Sequence, residues 1–237
     1  MALFYGYRYY IDPTYILILI GVVISLLASA KVKSTFAKYS KVRSMSGLTG
    51  AQAAERILRN AGIFDVSVQR ISGQLTDHYD PKNKVLRLSD SVFGETSVAA
   101  IGVAAHECGH AIQHNKEYAP LRIRTALVPI ANFGATLSWP LILIGVLLSW
   151  SQTLITLGII LFCAAVLFQL VTLPVEFNAS NRAVKILAST GILSDREVSQ
   201  TKQVLGAAAL TYVAAAAASI LQLLRLIILF GGNRDRD

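Results

Sequence analysis

Charge is scarce in this chain. Only 15% of its 237 residues are Asp, Glu, Lys or Arg, whereas a soluble globular domain carries about 25%. With 54% of residues apolar, the shortage excludes an ordinary water-soluble domain and points to an integral membrane protein. Acidic residues are scarcer than basic ones, which leaves a formal charge of +8. The basic residues stand beside apolar runs, and no basic stripe with interleaved aromatics occurs. The surplus is therefore read as membrane topology and attraction to anionic lipid, with no nucleic acid partner. Cysteine is nearly absent: Cys108 and Cys163 imply no disulfide framework, and Cys163, inside an apolar run, reads as a small packing residue. Asp, Glu, His, Lys and Arg are missing between positions 127 and 173. A transporter would carry such groups at mid-membrane, which weighs against that class. Internal repeats and low-complexity stretches are lacking as well.

What is present is a set of long apolar runs. Tyr5, Tyr7, Tyr9 and Tyr10, with Tyr15 at the edge of the first run, suit a membrane interface. Pro13 precedes an apolar stretch over 15–30, long enough to cross most of a hydrocarbon core about 30 Å thick. The segment before it is long, aromatic and nearly uncharged, unlike the start of a signal peptide, so a retained anchor is expected. Lys31, Lys33, Lys38, Lys41 and Arg43 follow the anchor, against Arg8 and Asp12 on its other flank. The positive-inside bias then runs the anchor from outside to cytoplasm. Stretches 127–150 and 154–173 are separated only by Ser151-Gln152-Thr153, which predicts a hairpin returning the chain to the side it left. A fourth apolar stretch, 204–230, is alanine-rich and spans the membrane or lies on it, with Arg225 placed to snorkel to the interface or to lipid head groups.

The chemistry centres on Ala104-Ala105-His106-Glu107-Cys108-Gly109-His110, an H-E-x-x-H within a segment, 97–115, that reads as helix. On a helix, His106 and His110 lie about 40° apart and about 6 Å along the axis, so both imidazoles reach one tetrahedral zinc. Glu107 sits about 100° round, beside the metal, where it can take a proton from zinc-bound water. Cys108 is about 200° from His106 and faces away. Gly109 leaves room for another helix to pack closely. Glu176 follows the predicted hairpin at Pro174-Val175-Glu176, with Pro174 read as opening a helix. A carboxylate so near an apolar span is costly without a partner, and the topology returns it to the side of the H-E-x-x-H helix. His106, His110 and Glu176 then form a His-His-Glu zinc shell with the fourth position open to water.

The remaining polar stretches are read as support. Residues 47–62 predict an amphipathic helix with Thr49 as cap, Ala51, Ala54, Ile57, Leu58 and Ala61 on the apolar face, and Gly62 as stop. Strands are expected over 66–71, 74–79 and 84–88, with Asp80-Pro81-Lys82-Asn83 as a turn. This small sheet either supports the active helix or offers an open edge to an extended peptide. Ser194 with Glu197 three residues on reads as a capping box. His114 is about 80° round from His106 and lies beside the site or exposed, not in the same tetrahedron. The group that stabilises an oxyanion is open among His78, Tyr79, Tyr118 and Tyr212.

With HECGH, the downstream PVEFNAS segment and the preceding LTDHYDP and KVLRLS runs in view, the chain resembles the neutral zinc metallopeptidases of the YugP type, small multi-pass bacterial membrane proteins. The resemblance covers nearly the whole chain. It implies a gluzincin-like zinc peptidase with His106 and His110 as ligands, Glu107 as catalytic base and Glu176 as third ligand. The chain is also similar to CAAX prenyl endopeptidases and HtpX-type membrane peptidases, whose glutamate ligand is followed four residues later by an aspartate. Here that position is Ser180, and Asn178 stands where the closer family leads one to expect an acidic residue.

The expected fold is mainly α, a multi-pass membrane protein with about four transmembrane helices and a small cytoplasmic zincin-like domain carrying a short β-hairpin or sheet. Its parts are an interfacial segment and first anchor (1–30), a cytoplasmic metallopeptidase part (31–122), a transmembrane hairpin (123–173), a third-ligand helix and connector (174–203), and a fourth transmembrane helix with a polar tail (204–237). The expected activity is zinc-dependent endopeptidase cleavage of membrane or unfolded proteins at the cytoplasmic face of a bacterial plasma membrane. Expected partners are the lipid bilayer, a peptide or membrane-protein substrate, and a membrane partner protein or a second copy. The rival class is a zinc-binding membrane adaptor or chaperone without cleavage, which would have no need of Glu107.

Overall fold

Residues 12–231 are described in this computed structural model. Tyr5, Tyr7, Tyr9 and Tyr10 and the polar tail lie outside the described residues. The first apolar run forms α1 (Tyr15–Tyr39), which continues past Ala30 through Lys31, Lys33 and Lys38. No glycine or proline interrupts it there, and lysine and alanine are good helix formers, so it continues until Ser40. Three further long helices follow: α5 (Ala119–Leu147), α6 (Gln152–Ser189) and α7 (Asp195–Phe230). All four are long and apolar enough to cross a membrane.

The four stand in a row, α1 against α7, α7 against α6 and α6 against α5. The α5–α6 turn comes slightly earlier than its polar residues suggest: Ser149 and Trp150 take left-handed φ values of 53° and 63°, and Gln152 is already helical. Arg225 has partners within the molecule. Its Nη2 lies 3.7 Å from Asp12 Oδ2 and its guanidinium 4.4 Å from the Tyr15 ring, which ties α7 to the start of α1. Cys163 is exposed on the outer face of α6 and not packed inside.

Pro174 does not open a helix. It sits inside α6, which runs unbroken from the apolar span into the polar segment and through every residue from Glu176 to Ser189. One lost backbone hydrogen bond is tolerated because Val175, Glu176, Ala179, Ala183 and Leu187 are buried along the continuing helix. Likewise α7 starts at Asp195 and passes straight into the fourth apolar stretch. The Glu197 carboxylate accepts from the Ser194 N–H at 2.8 Å, the side-chain-to-backbone half of a capping box, and from the Ser194 hydroxyl at 2.7 Å. Its other oxygen accepts from the Met45 N–H at 2.7 Å, fixing the loop after α1.

The polar end of the bundle holds the rest. α2 (Gly50–Asn60) carries the reciprocal Thr49–Gln52 capping box, and its apolar stripe packs on α4 (Val98–Asn115). The strands are β1 (Ser67–Ile71), β2 (His78–Asp80) and β3 (Val85–Ser89), followed by the single turn α3 (Asp90–Phe93). They form a mixed sheet in the order β1-β3-β2, with β1 parallel and β2 antiparallel to β3. β3 is central and buried at Val85, Leu86, Leu88 and Ser89, as a central strand should be. β2 is shorter and later than its sequence pattern suggests, because Asp77 leaves the strand to accept from the Ser89 N–H at 2.7 Å. Its other edge is unpaired among the described residues and lies beside α4.

Candidate metal centre

α4 begins at Ser97, whose hydroxyl accepts from the Ala100 N–H at 3.1 Å, and runs buried through the middle of the polar end. Its small residues let neighbours close in on all sides. Cys108 is fully buried with Sγ 3.6 Å from the Ala54 carbonyl, turned toward α2 as its helical position dictates. Gly109 lies against α6 so tightly that a Cβ there would meet Ala179 O at 2.6 Å. This contact brings Glu176 over the two histidines.

Glu176 is 3% exposed, and its Oε2 lies 3.2 Å from His106 Nε2 and 3.4 Å from His110 Nε2. The imidazoles stand edge to face with centroids 4.8 Å apart. The ligand atoms of all three side chains lie within 4.8 Å of one another, a set that can hold one metal ion. Oε2 is buried and accepts no hydrogen bond. Glu107, also buried, lines the adjoining cavity of about 320 Å³ with His110 and Glu176. Burial works against a charge on His110, but Glu176 and Glu107 outweigh it and hold its pKa above the ordinary value. One carboxylate and two imidazole nitrogens converging on one point, with an orphaned buried oxygen between the rings, form a donor set that fits a divalent cation. Two imidazoles and a carboxylate are also a known catalytic zinc shell.

The surroundings sort the other candidates. Ser180 Oγ lies 3.0 Å from His106 Nδ1, so a hydroxyl faces the outer nitrogen of that ring. His110 Nδ1 lies 3.0 Å from Gln113 Oε1. Asn178 Oδ1 accepts from Gln113 Nε2 at 3.0 Å and from Arg182 Nε at 2.7 Å. His78, Tyr79 and Tyr212 line the cavity and Tyr118 does not. His78 uses Nδ1 on the Thr76 carbonyl at 2.9 Å and Nε2 on Arg87 at 3.3 Å. The Tyr79 hydroxyl meets His114 Nδ1 at 2.9 Å, which places His114 beside the site and outside the cluster. Burial, helped by Asp65 and Asp80, pushes the Tyr79 phenol up to about 12, so it stays protonated.

Two residues were missed by sequence reasoning. Arg124, in the second turn of α5, lines the cavity with Nη1 3.6 Å from Glu176 Oε1. Its signal was available: Arg124 stands three residues before the hairpin's first apolar stretch and Glu176 three after its last, so the hairpin brings the opposite charges together. Gln113 was the other, at the i+3 position from His110 and fully buried.

The helices and this cluster define a class: a membrane-type helical protein in which two histidines of an H-E-x-x-H helix and a glutamate from a neighbouring long helix form a set that could hold a metal. The family model described as "Putative neutral zinc metallopeptidase" matches residues 14–231, and the chain belongs to that family. It is 51% identical over 214 residues to "Putative membrane protease YugP" of Bacillus subtilis (strain 168), covering 90% of this chain and 95% of that protein. No solved structure matches the chain.

Proposed function

We propose that the chain is a membrane-embedded, zinc-dependent endopeptidase whose centre lies at the cytoplasmic membrane surface. The observation that carries this is the buried Glu176 Oε2 between His106 Nε2 and His110 Nε2, an arrangement that calls for a cation. His106, His110 and Glu176 would hold the zinc. When bound there, zinc supplies Lewis-acid polarisation of a scissile carbonyl and acidifies a water. Glu107 accepts the proton from the attacking water and delivers it to the leaving amine. Tyr212 and Arg124 are the groups suited to the developing oxyanion, since His78 and Tyr79 already spend their polar atoms on Thr76, Arg87 and His114.

Depth supports the membrane-surface reading. At about 1.5 Å per residue, Tyr212 lies about 27 Å along α7 from Phe230, and Val128 about 29 Å along α5 from Leu147. Both line the cavity, so the site stands about one hydrocarbon thickness from the far end of the bundle. Lys31 and Lys33 fall at the same end, which the positive-inside bias assigns to the cytoplasm of a bacterial cell. A second cavity of about 600 Å³ shares Pro81, Leu121 and Thr125 with the first. Together they make a trough between the free edge of β2 and the start of α5, suited to an extended segment emerging from the bilayer.

The test compares wild type with Glu107→Gln, purified in detergent, for zinc content and for cleavage of an unfolded protein such as casein. The expected result is equal zinc in both, with cleavage only by wild type and lost on chelation. Zinc in both without cleavage by either favours the non-cleaving adaptor. Zinc in neither overturns the site.

A further inference from the structure

Gln113 is among the most deeply buried polar residues of the molecule, with no exposed surface; it borders the second cavity but lies outside the one lined by Glu107 and Glu176, and it does not touch the Glu176 carboxylate. Its amide orientation is fixed by a partner of one-way chemistry. Nε2 lies 2.8 Å from the Val175 carbonyl, which only accepts, so that end must be the NH₂ group. The second N–H of the same group faces Asn178 Oδ1 at 3.0 Å. Asn178 cannot be turned round either, because the same oxygen accepts from Arg182 Nε at 2.7 Å, and a guanidinium only donates.

It follows that the atom facing His110 Nδ1 at 3.0 Å is the Gln113 carbonyl oxygen. A carbonyl oxygen accepts, so His110 Nδ1 must carry the proton. In the neutral ring, Nε2, the atom directed at Glu176 Oε2, is then the nitrogen that keeps its lone pair. The contrast with His106 is informative. Ser180 faces His106 Nδ1 with a hydroxyl that can rotate to donate or accept, so it does not choose a tautomer.

Resting on the zinc reading above, we propose that Gln113 is the positioning residue that locks His110 in its Nδ1–H tautomer and so commits Nε2 to the metal. The chain Arg182–Asn178–Gln113–His110 transmits that choice from α6 back to α4. It is a neutral device, where metal-bound histidines often rely on a carboxylate.

The test uses the full chain in detergent and separates this role from mere tethering of α4 to α6. Gln113→Met fills the space without an acceptor. Gln113→Glu keeps an oxygen for His110 Nδ1–H and, as a neutral acid, can still donate to the Val175 carbonyl. Zinc affinity is read by competition with a chelator, and the ring proton by ¹H–¹⁵N spectra of histidine-labelled protein in the zinc-loaded form and metal-free at pH 9. Expected are an Nδ1–H signal for wild type and Gln113→Glu, zinc binding by Gln113→Glu within a few-fold of wild type, and a loss of about 10–100-fold in Gln113→Met. A proton on His110 Nε2 in wild type, equal zinc loss in both variants, or full affinity in Gln113→Met overturns the assignment. A wild type that shows Nδ1–H but takes up no zinc overturns the metallopeptidase reading and the metal half of this assignment with it.

Discussion

Gly109→Ala leaves every residue of H-E-x-x-H in place and still attacks the centre. The new methyl would stand 2.6 Å from Ala179 O and 3.1 Å from its C and Cα, all backbone atoms of α6 that cannot swing aside. Ordinary contact begins at 3.4 Å, so α4 and α6 must part by about 0.8 Å. Overpacking of this kind costs about 1–3 kcal/mol, while alanine returns about 1 kcal/mol through its better helix propensity. The metal-free protein can relax by letting the helices separate, so its melting temperature should fall only slightly. The proposed zinc shell leaves no such escape, because it requires Glu176 on α6 and both histidines on α4 within ligand reach. The strain then reappears as lost affinity, and about 2 kcal/mol corresponds to a roughly 30-fold weaker Kd. Chelator competition in detergent measures it, with thermal unfolding recorded with and without zinc. Gly206→Ala is the control: a Cβ there meets nothing within 4 Å, so zinc binding should not change. Wild-type zinc affinity in Gly109→Ala would refute the claim that close helix approach assembles the site.

Arg124→Ala strips Glu176 Oε1 of its cation and the cavity wall of a donor; cleavage should fall about 100-fold with zinc stoichiometry unchanged, and Arg124→Lys should recover part. Cleavage at the wild-type rate would remove Arg124 from the mechanism. Asn178→Asp keeps an oxygen for both Gln113 and Arg182, so zinc affinity and melting temperature should stay at wild-type values; a drop of several degrees would contradict the assigned hydrogen bonds. Burial raises the Asp77 carboxyl above its ordinary value, against the opposing pull of its Ser89 hydrogen bonds. A raised folded pKa means that the Asp77 contribution is fully present below pH about 3.9 and is lost as pH rises through the folded value. Asp77→Asn should flatten that part of a thermal-stability profile taken between pH 3.5 and 7, and an unchanged slope would rule Asp77 out as its source.

Much of this was legible in the chain because local periodicity and chemistry agree. The 3.6-residue repeat set His106 and His110 together and turned Cys108 away, and small residues at Gly109 and Ala179 permitted the approach that the pattern alone implied. Thr49 and Ser194 announced their helices through side chains that can only cap. What the sequence concealed was continuity and partnership. Pro174 reads as a boundary, yet the buried stripe from Val175 to Leu187 outweighs one missing hydrogen bond. Arg225 reads as a snorkelling charge because its partner, Asp12, is more than two hundred positions away, and no local rule couples them. Gln113 looks like an ordinary polar residue near a helix end until α6 supplies the carbonyl that orients it.

The unbroken course of α6 has a consequence for handling the molecule. One rigid rod is both the membrane span and the bearer of Glu176, which lies just past its apolar stretch. The polar end therefore has no cutting point that would release it as a soluble protein with Glu176 still in place. An excised fragment of residues 31–122 would keep H-E-x-x-H and lose the third side chain of the cluster, so work with this molecule must begin in detergent or lipid.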